Sequence, residues 1–191
     1  MNKGRLEAFS DGVLAVIITV MVLEMKSPRG TDLAALSPVI PVFLSYVLSF
    51  VYIGIYWNNH HHLLHATQRV NGVILWANLH LLFWLSLVPF TTAWLGENHL
   101  APWPIAVYGA VLLMAGVAYV ILTRALIELH GRDSTIATSI GKDRKGKISI
   151  AIYAVGIPLA FVHPWIAGAC YVIVAIVWLI PDRRIERKLA Q

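Results

Sequence analysis

The chain has 191 residues, of which 58% are hydrophobic and only 13% are charged, and its mean hydropathy is +0.70. Soluble domains carry about 25% charged residues, so this composition excludes an ordinary soluble domain and indicates a protein of membrane-spanning helices. The net charge of +5 does not indicate a nucleic-acid-binding protein, because the basic residues fall between apolar blocks, as membrane orientation requires.

Six apolar blocks follow one another along the chain, joined by short polar segments. They cover residues 5–25, 38–65, 71–95, 102–129, 148–162 and a last block from after His163 and Pro164 to about Pro181. We therefore expect an all-α membrane protein whose residues 1–191 form one domain of six transmembrane helices. No cleavable signal peptide is expected, since Asp11 interrupts the first block, and the single cysteine, Cys170, can make no disulfide within the chain.

Lysine and arginine predict the orientation of these helices, because both are enriched in cytoplasmic loops. With the amino terminus inside, all of the 15 basic residues except Lys26 and Arg29 fall on the cytoplasmic side. Both termini are therefore expected to be cytoplasmic, in a multi-pass protein of the cell (plasma) membrane. The terminal segment 182–191, DRRIERKLAQ, is expected to lie at the inner lipid headgroups.

The first block, from Arg5 to Met25, has one distinctive face when it is drawn as a helix. At about 100° per residue, one stripe contains small or apolar residues and a single hydroxyl, with Arg5 at its cytoplasmic end. The stripe consists of Phe9, Gly12, Val16, Thr19 and Leu23, with Val20 at its border. Either this is ordinary helix packing with a close approach at Gly12, or copies of the helix surround an axis and the stripe lines a pore.

The pattern Arg5-x-x-x-Phe9-Ser10-Asp11 opens the first of the six predicted helices. It resembles the signature of the transmembrane protein 175 family, whose animal members are lysosomal potassium channels. A single six-helix unit resembles the bacterial and archaeal branch of that family. Further similar segments are Tyr56-Trp57 followed by His60-His61-His62 in the second block, and Asn78-Leu79 with Pro89-Phe90-Thr91-Thr92 in the third.

This resemblance implies a homotetramer in the lipid bilayer, with no enzymatic activity, whose first helices line a path for passive flux of potassium ions. It places the narrowest ring at Val16, a hydroxyl layer at Thr19 and an outer apolar ring at Leu23, with Val20 beside them. The family often has isoleucine or leucine at the constriction. Val16 is smaller, so Leu23 is a second candidate for the residue that closes the pore.

Selectivity in such a pore would have to come from a narrow apolar constriction. No T-V-G-Y-G-like segment is present to supply stacked backbone carbonyls. A passing ion must shed part of its hydration shell, potassium holds water less tightly than sodium, and the Thr19 hydroxyls can replace some of the lost contacts. Glu24 falls near the outer mouth, where it either concentrates cations or is an ordinary interfacial carboxylate.

An acidic residue inside a membrane helix needs polar partners. Asp11 lies about 10 Å from the cytoplasmic end of its helix, as estimated from the rise per residue. The polar residues expected at comparable depth are Trp57, Asn58 and His61 in the second helix and His80 in the third. We expect Asp11 and Ser10 to share hydrogen bonds with these partners in a buried network that fixes the rotation of the first helix.

The four histidines His60, His61, His62 and His65 invite a metal-binding interpretation, because His61 and His65 are one helical turn apart. No cysteine or nearby acidic residue completes such a site, so we expect no metal and no cofactor apart from permeant potassium ions. The alternatives are a histidine-ligated membrane redox or haem protein, and a secondary transporter. A transporter is expected to show inverted repeats or broken helices at mid-membrane; Pro89 and Pro158 are candidate breaks without an apparent symmetric relation.

Overall fold

The computed structural model describes residues 3–131, 133–140 and 143–179, and within these residues the regular elements are all helices. Eight α-helices are present there, and a 3₁₀ helix, Leu33–Val39, precedes the second of them. They are α1 (Lys3–Leu23), α2 (Ile40–His65), α3 (Gly72–Ser86), α4 (Val88–Glu97), α5 (Pro102–His130), α6 (Thr135–Ile140), α7 (Arg144–Val162) and α8 (Pro164–Leu179).

The predicted all-α membrane class is confirmed, and the spans differ from the prediction in two places. Five segments of the described chain are long and apolar enough to cross a bilayer, whereas α8, the sixth block, is apolar but has only 16 residues. The predicted tail 182–191 lies outside the described residues, as do Arg132 and Lys142.

The third predicted block is divided into α3 and α4 at Leu87. Pro89, in the first turn of α4, has no backbone N–H with which to continue the α3 hydrogen-bond ladder. By contrast, α7 continues through Pro158 without a break. The candidate break at Pro89 is therefore present, whereas the helix is continuous at Pro158.

Two clusters of buried side chains hold the helices together. The first packs α1 against α3 and α3 against α5 through residues such as Leu14, Leu81 and Leu122, which are almost completely buried. The second joins α2, α5, α7 and α8 around aromatic rings and includes Tyr108 and Tyr171. Helices α2, α4 and α5 contribute to both clusters and so join the two parts of the core.

Two helices of the second cluster carry a glycine where the side chain of Tyr171 packs against them. Its ring lies against Gly109 of α5 and Gly156 of α7, and a Cβ atom at either position would overlap the ring. The backbone carbonyl of Tyr171 accepts a hydrogen bond of 2.6 Å from the hydroxyl of Tyr52. Small residues thus allow close helix contact here, as they commonly do between membrane helices.

Polar contacts mark the two ends of the helix bundle. At one end, Lys3 Nζ donates to the backbone carbonyl of His65 at 3.1 Å, which places the start of α1 beside the end of α2. At the opposite end of α1, Lys26 and Glu97 form an ion pair at 2.7 Å, beside the end of α4. Successive helix ends therefore alternate between two sides, as expected for helices that cross a membrane.

Candidate functional site

Helix α1 buries one face only. Its buried residues are Leu6, Ser10, Leu14, Ile17 and Met21, and they recur every three or four positions. This face packs against α2, α3 and α4. At about 100° per residue, the stripe from Phe9 to Leu23 is centred about 140° away from it.

The stripe is exposed along its whole length. Phe9 is 54% exposed, Val16 59% and Leu23 80%, and Gly12 and Thr19 are exposed between them. The Thr19 hydroxyl donates to the carbonyl of Val16 at 2.8 Å, so its proton is used and its oxygen remains available as an acceptor. Arg5 is exposed at the start of the stripe, and Val20 is half-buried at its border.

An open groove of 820 Å³ runs beside the stripe. One wall is α1, with residues from Ala8 to Glu24, and the other is the junction of α3 and α4, with Ser86, Phe90 and Ala93. The groove is mostly apolar, because Glu24 and Ser86 are the only polar side chains among its described lining residues. We call it the α1 groove.

Ser10 is the centre of a buried polar cluster. Its hydroxyl donates to the carbonyl of Leu6 at 2.8 Å and accepts from the Asn78 amide nitrogen at 2.9 Å. The amide oxygen of Asn78 lies 2.7 Å from His60 Nε2. Because an amide oxygen can only accept, His60 Nε2 carries the proton and its buried Nδ1 is left as an acceptor without a partner. We call Ser10, Asn78 and His60 the inner triad.

Asp11 has a different partner from its neighbour Ser10. Trp57 Nε1 donates to Asp11 Oδ1 at 3.1 Å, and the Trp57 ring stacks on His61 with a centroid distance of 5.9 Å. His61 Nδ1 in turn lies 3.6 Å from Glu7 Oε1 of α1. Ser10 therefore ties α1 to α3, and Asp11 ties it to α2.

The structure brings together only some of the residues that were predicted to surround Asp11. Trp57 contacts it directly and His61 contacts it through Trp57, whereas Asn58 is exposed. His80 instead accepts a hydrogen bond of 2.9 Å from Trp84 of its own helix. Among the described residues there is no group of three or more histidine, cysteine or acidic side chains placed to hold a metal ion.

The prediction of polar partners did not include His60 and Asn78, although a signal for His60 was present. His60 lies seven residues after Ile53, one of the most buried residues of α2, and so falls on the buried face of that helix. A polar side chain on a buried face requires a hydrogen-bond partner. The run of three histidines obscured which of them faces inward.

The carboxyl-terminal end of α1 and the residues that follow it carry charged side chains. Glu24 is exposed at the end of the α1 groove. The hydrogen bond and charge of Glu97 raise the pKa of Lys26, and the charge of Glu24 adds a smaller effect in the same direction. Both members of the Lys26–Glu97 ion pair are accessible to solvent, so the pair is screened by salt.

Comparisons with known proteins give one consistent result. Residues 5–89 match the family described as "Endosomal/lysosomal potassium channel TMEM175". The chain is 54% identical to a potassium channel of Chryseobacterium sp. (strain P1-3), and the match covers the whole of both chains. It is 29% identical to a potassium channel of Chamaesiphon minutus over 90% of this chain and 91% of that one.

A solved structure extends the likeness to the fold. The crystal structure of a lysosomal potassium-selective channel TMEM175 homolog from Chamaesiphon minutus matches with a TM-score of 0.76 and 29% identity, over 93% of this chain and 96% of that one. The human endosomal/lysosomal proton channel TMEM175 is 36% identical over 44% of this chain, and that match spans only 19% of the human protein.

Proposed function

The chain belongs to the TMEM175 family, and from this premise we propose that it is a potassium-conducting channel whose path is lined by the exposed stripe of α1. The bacterial relatives with which it shares most of its length are named potassium channels. The passive flux of an ion through a pore needs no catalytic group and no cofactor, and potassium is the permeant ion.

The exposure of the stripe is the observation that supports this path. A helix face that packs on nothing within its own chain must face either lipid or other copies of the chain. The stripe contains Gly12, the hydroxyl of Thr19 and, at its cytoplasmic end, Arg5, all of which suit an aqueous path better than a lipid-facing surface. Four copies related by a cyclic axis would enclose such a path, and a closed ring is the common form of homo-oligomers.

The side chains along the stripe divide the proposed path into layers. Val16 forms the narrowest apolar ring, Thr19 lies about 4.5 Å further out and Leu23 about 10 Å further out, as estimated from the helix rise. At the Val16 ring an ion loses part of its water shell, and the Thr19 oxygens replace some of those contacts. We expect weaker potassium selectivity than a backbone-carbonyl filter gives, and closure by dewetting of the apolar rings.

The polar contacts of α1 set the direction in which the stripe points. Ser10 and Asp11 are adjacent, so their side chains leave the helix about 100° apart, and they bind α3 and α2 respectively. Two ties in different directions fix the rotation of a helix better than one tie does. We assign the role of holding Val16 toward the axis to these ties. His61 stacks on Trp57 beside Asp11, Phe9 is exposed next to Ser10, and Arg5 lies at the cytoplasmic entrance.

The topology of the proposed channel is the one that the basic residues favour. It has six transmembrane helices in a single domain over residues 1–191, with α3 and α4 counted together as the third, and both termini are cytoplasmic. The protein lies in the cell membrane as a homotetramer. Glu24 lies at the outer mouth, where its carboxylate raises the local concentration of cations.

Flux measurements on purified protein in liposomes test this proposal. The parent is expected to pass potassium down its gradient faster than sodium. Val16→Ala is expected to raise the sodium flux and lower the selectivity, because it widens the ring. Val22→Ala is the matched control, since Val22 is also an exposed valine of α1 but lies on another face.

Three results would contradict the proposal. The first is a parent protein without potassium flux, and the second is an equal effect of the two valine substitutions. The third is flux that stops unless a second ion is coupled to it, which would favour a secondary transporter. A pH-sensitive dye in the same vesicles measures proton passage, because the human relative is named a proton channel.

A further inference from the structure

Helix α4 forms the wall that faces the outer half of α1. Phe90 and Ala93 of α4 line the α1 groove, and Val88 belongs to the same buried cluster as Met21 of α1. Helix α4 has only 10 residues and is separated from α3 by the break at Leu87. Because the break interrupts the hydrogen-bond ladder, α3 does not rigidly fix the position of α4, and other helices must do so.

Three buried hydroxyl groups from three helices meet at α4. Ser49 Oγ of α2 lies 2.6 Å from Thr92 Oγ1 of α4 and 3.0 Å from the Tyr108 hydroxyl of α5. All three side chains are at most 3% exposed. One turn further along α4, a Cβ atom on Gly96 would lie 2.6 Å from the Cα atom of Val42, so α2 and α4 approach closely here.

The protons of these hydroxyls can be placed by elimination. Thr92 Oγ1 lies 2.7 Å from the carbonyl of Val88, which can only accept. Thr92 therefore donates to Val88, Ser49 donates to Thr92, and Tyr108 donates to Ser49. Each hydroxyl then uses its single proton and finds an acceptor, so the chain is fully satisfied in an apolar interior.

We propose that Thr92 is a positioning residue for the outer half of the conduction path, which it holds in place by anchoring α4 to α2 and α5. Its hydroxyl oxygen also packs against Met21 Sδ at 3.9 Å, on the buried face of α1 opposite Thr19 and Leu23. Loss of the anchor lets α4 shift and leaves the outer half of α1 without a fixed wall. The assignment rests on the proposed function only where it concerns conduction; the anchoring of α4, against which α1 packs, is independent of it.

Thr91 provides a matched control on the same helix. It is also a buried threonine, 1% exposed, but its hydroxyl bonds only to carbonyls of the preceding turn, those of Leu87 and Val88. Thr91→Val and Thr92→Val therefore each replace one buried hydroxyl group with a methyl group, at neighbouring positions of the same helix. Only the second removes a bond between helices. Thr92→Ser keeps the hydroxyl and is the conservative variant.

Two measurements on the full-length protein in lipid test the assignment. The first is amide hydrogen exchange of residues 17–23. Thr92→Val is expected to speed exchange there by roughly fivefold, the factor that corresponds to one buried hydrogen bond, while Thr91→Val and Thr92→Ser stay near the parent. The second is the ratio of potassium to sodium flux, which Thr92→Val is expected to lower and Thr92→Ser to restore.

The flux and exchange measurements test the proposed function and the positioning role of Thr92 separately. A parent without potassium flux overturns the proposed function, and the exchange data still decide whether Thr92 holds the wall against which α1 packs. Equal exchange in the two valine variants overturns the positioning role. If Thr92→Val does not assemble, Ser49→Ala breaks the same chain from α2 and must show the same faster exchange; unchanged exchange in Ser49→Ala refutes the assignment.

Discussion

Replacement of Asn78 by leucine is the most direct test of the inner triad. Asn78 accepts from His60 and donates to Ser10, at 2.7 and 2.9 Å, and all three side chains are at most 2% exposed. An interhelical hydrogen bond in a membrane protein contributes about 0.6 kcal/mol on average, so two lost bonds cost about 1.2 kcal/mol. The His60 N–H, left buried without an acceptor, costs a further ~1–3 kcal/mol. We expect Asn78→Leu to lower the free energy of unfolding by about 2–4 kcal/mol.

Reversible unfolding in mixed detergent micelles, followed by circular dichroism, measures this loss. Asn59→Leu is the control, because the Asn59 side-chain amide donates to the carbonyl of Ile55 in its own helix at 2.8 Å and, within the described residues, makes no hydrogen bond to another helix. A double-mutant cycle of Asn78→Leu with Ser10→Ala isolates the bond between them. If the two asparagine variants lose equal stability, or the cycle is additive, the triad does not hold α1 and the reasoning is refuted.

Two further predictions concern packing and charge. Gly109→Ala is expected to destabilise the fold by about 1–3 kcal/mol, because its methyl group overlaps Tyr171 and the packing must shift. Gly116→Ala in the same helix is expected to be neutral or stabilising, because the nearest side-chain atom is 3.7 Å away and alanine favours helix; equal losses in the unfolding assay would contradict this. Glu97→Gln is expected to lower the pKa of Lys26 toward 10.5, as measured by NMR titration of the lysine side chain. Because the pKa is raised in the folded protein, the ion pair stabilises the fold below pH 10.5 and its contribution is lost as the pH rises through the raised value.

Features that depend on local helix geometry could be predicted from the sequence. The membrane class follows from composition, and the family follows from the Arg5-to-Asp11 motif, which the relatives confirm. The grouping of Val16 and Leu23 on one face of α1 follows from the helical period, because they are seven residues apart. Whether that face packs within the chain was left open by the period alone. The missing backbone N–H made Pro89 a candidate break, but Pro158 shares this property and α7 continues through it, so the choice between them could not be made from the sequence.

Features that depend on the register between helices could not be predicted. Ser10 was expected to bond to partners of similar depth such as Asn58 and His80, and the structure instead pairs it with Asn78. Depth along the membrane normal is readable from sequence, but the rotation of each neighbouring helix about its own axis is set by packing. A rotation of about 100° exchanges one residue for the next, and this is why Asn58 is exposed while His60 is buried.

The proposed path places an unusual demand on the rotation of α1. In a filter of backbone carbonyls, the local backbone conformation fixes the positions of the oxygen atoms. In rings of valine, threonine and leucine side chains, the atom positions depend on the rotation of the helix that carries them. A rotation of about 20° moves a side-chain tip, roughly 5 Å from the helix axis, by about 1.7 Å, which is comparable to the radius of a water molecule. The inner triad holds α1 near Ser10, and α4, which the hydroxyl chain anchors to α2 and α5, packs against α1 near Met21, about 16 Å further along the axis. Val16 lies midway between the two anchors, so both must hold if that ring is to keep one diameter.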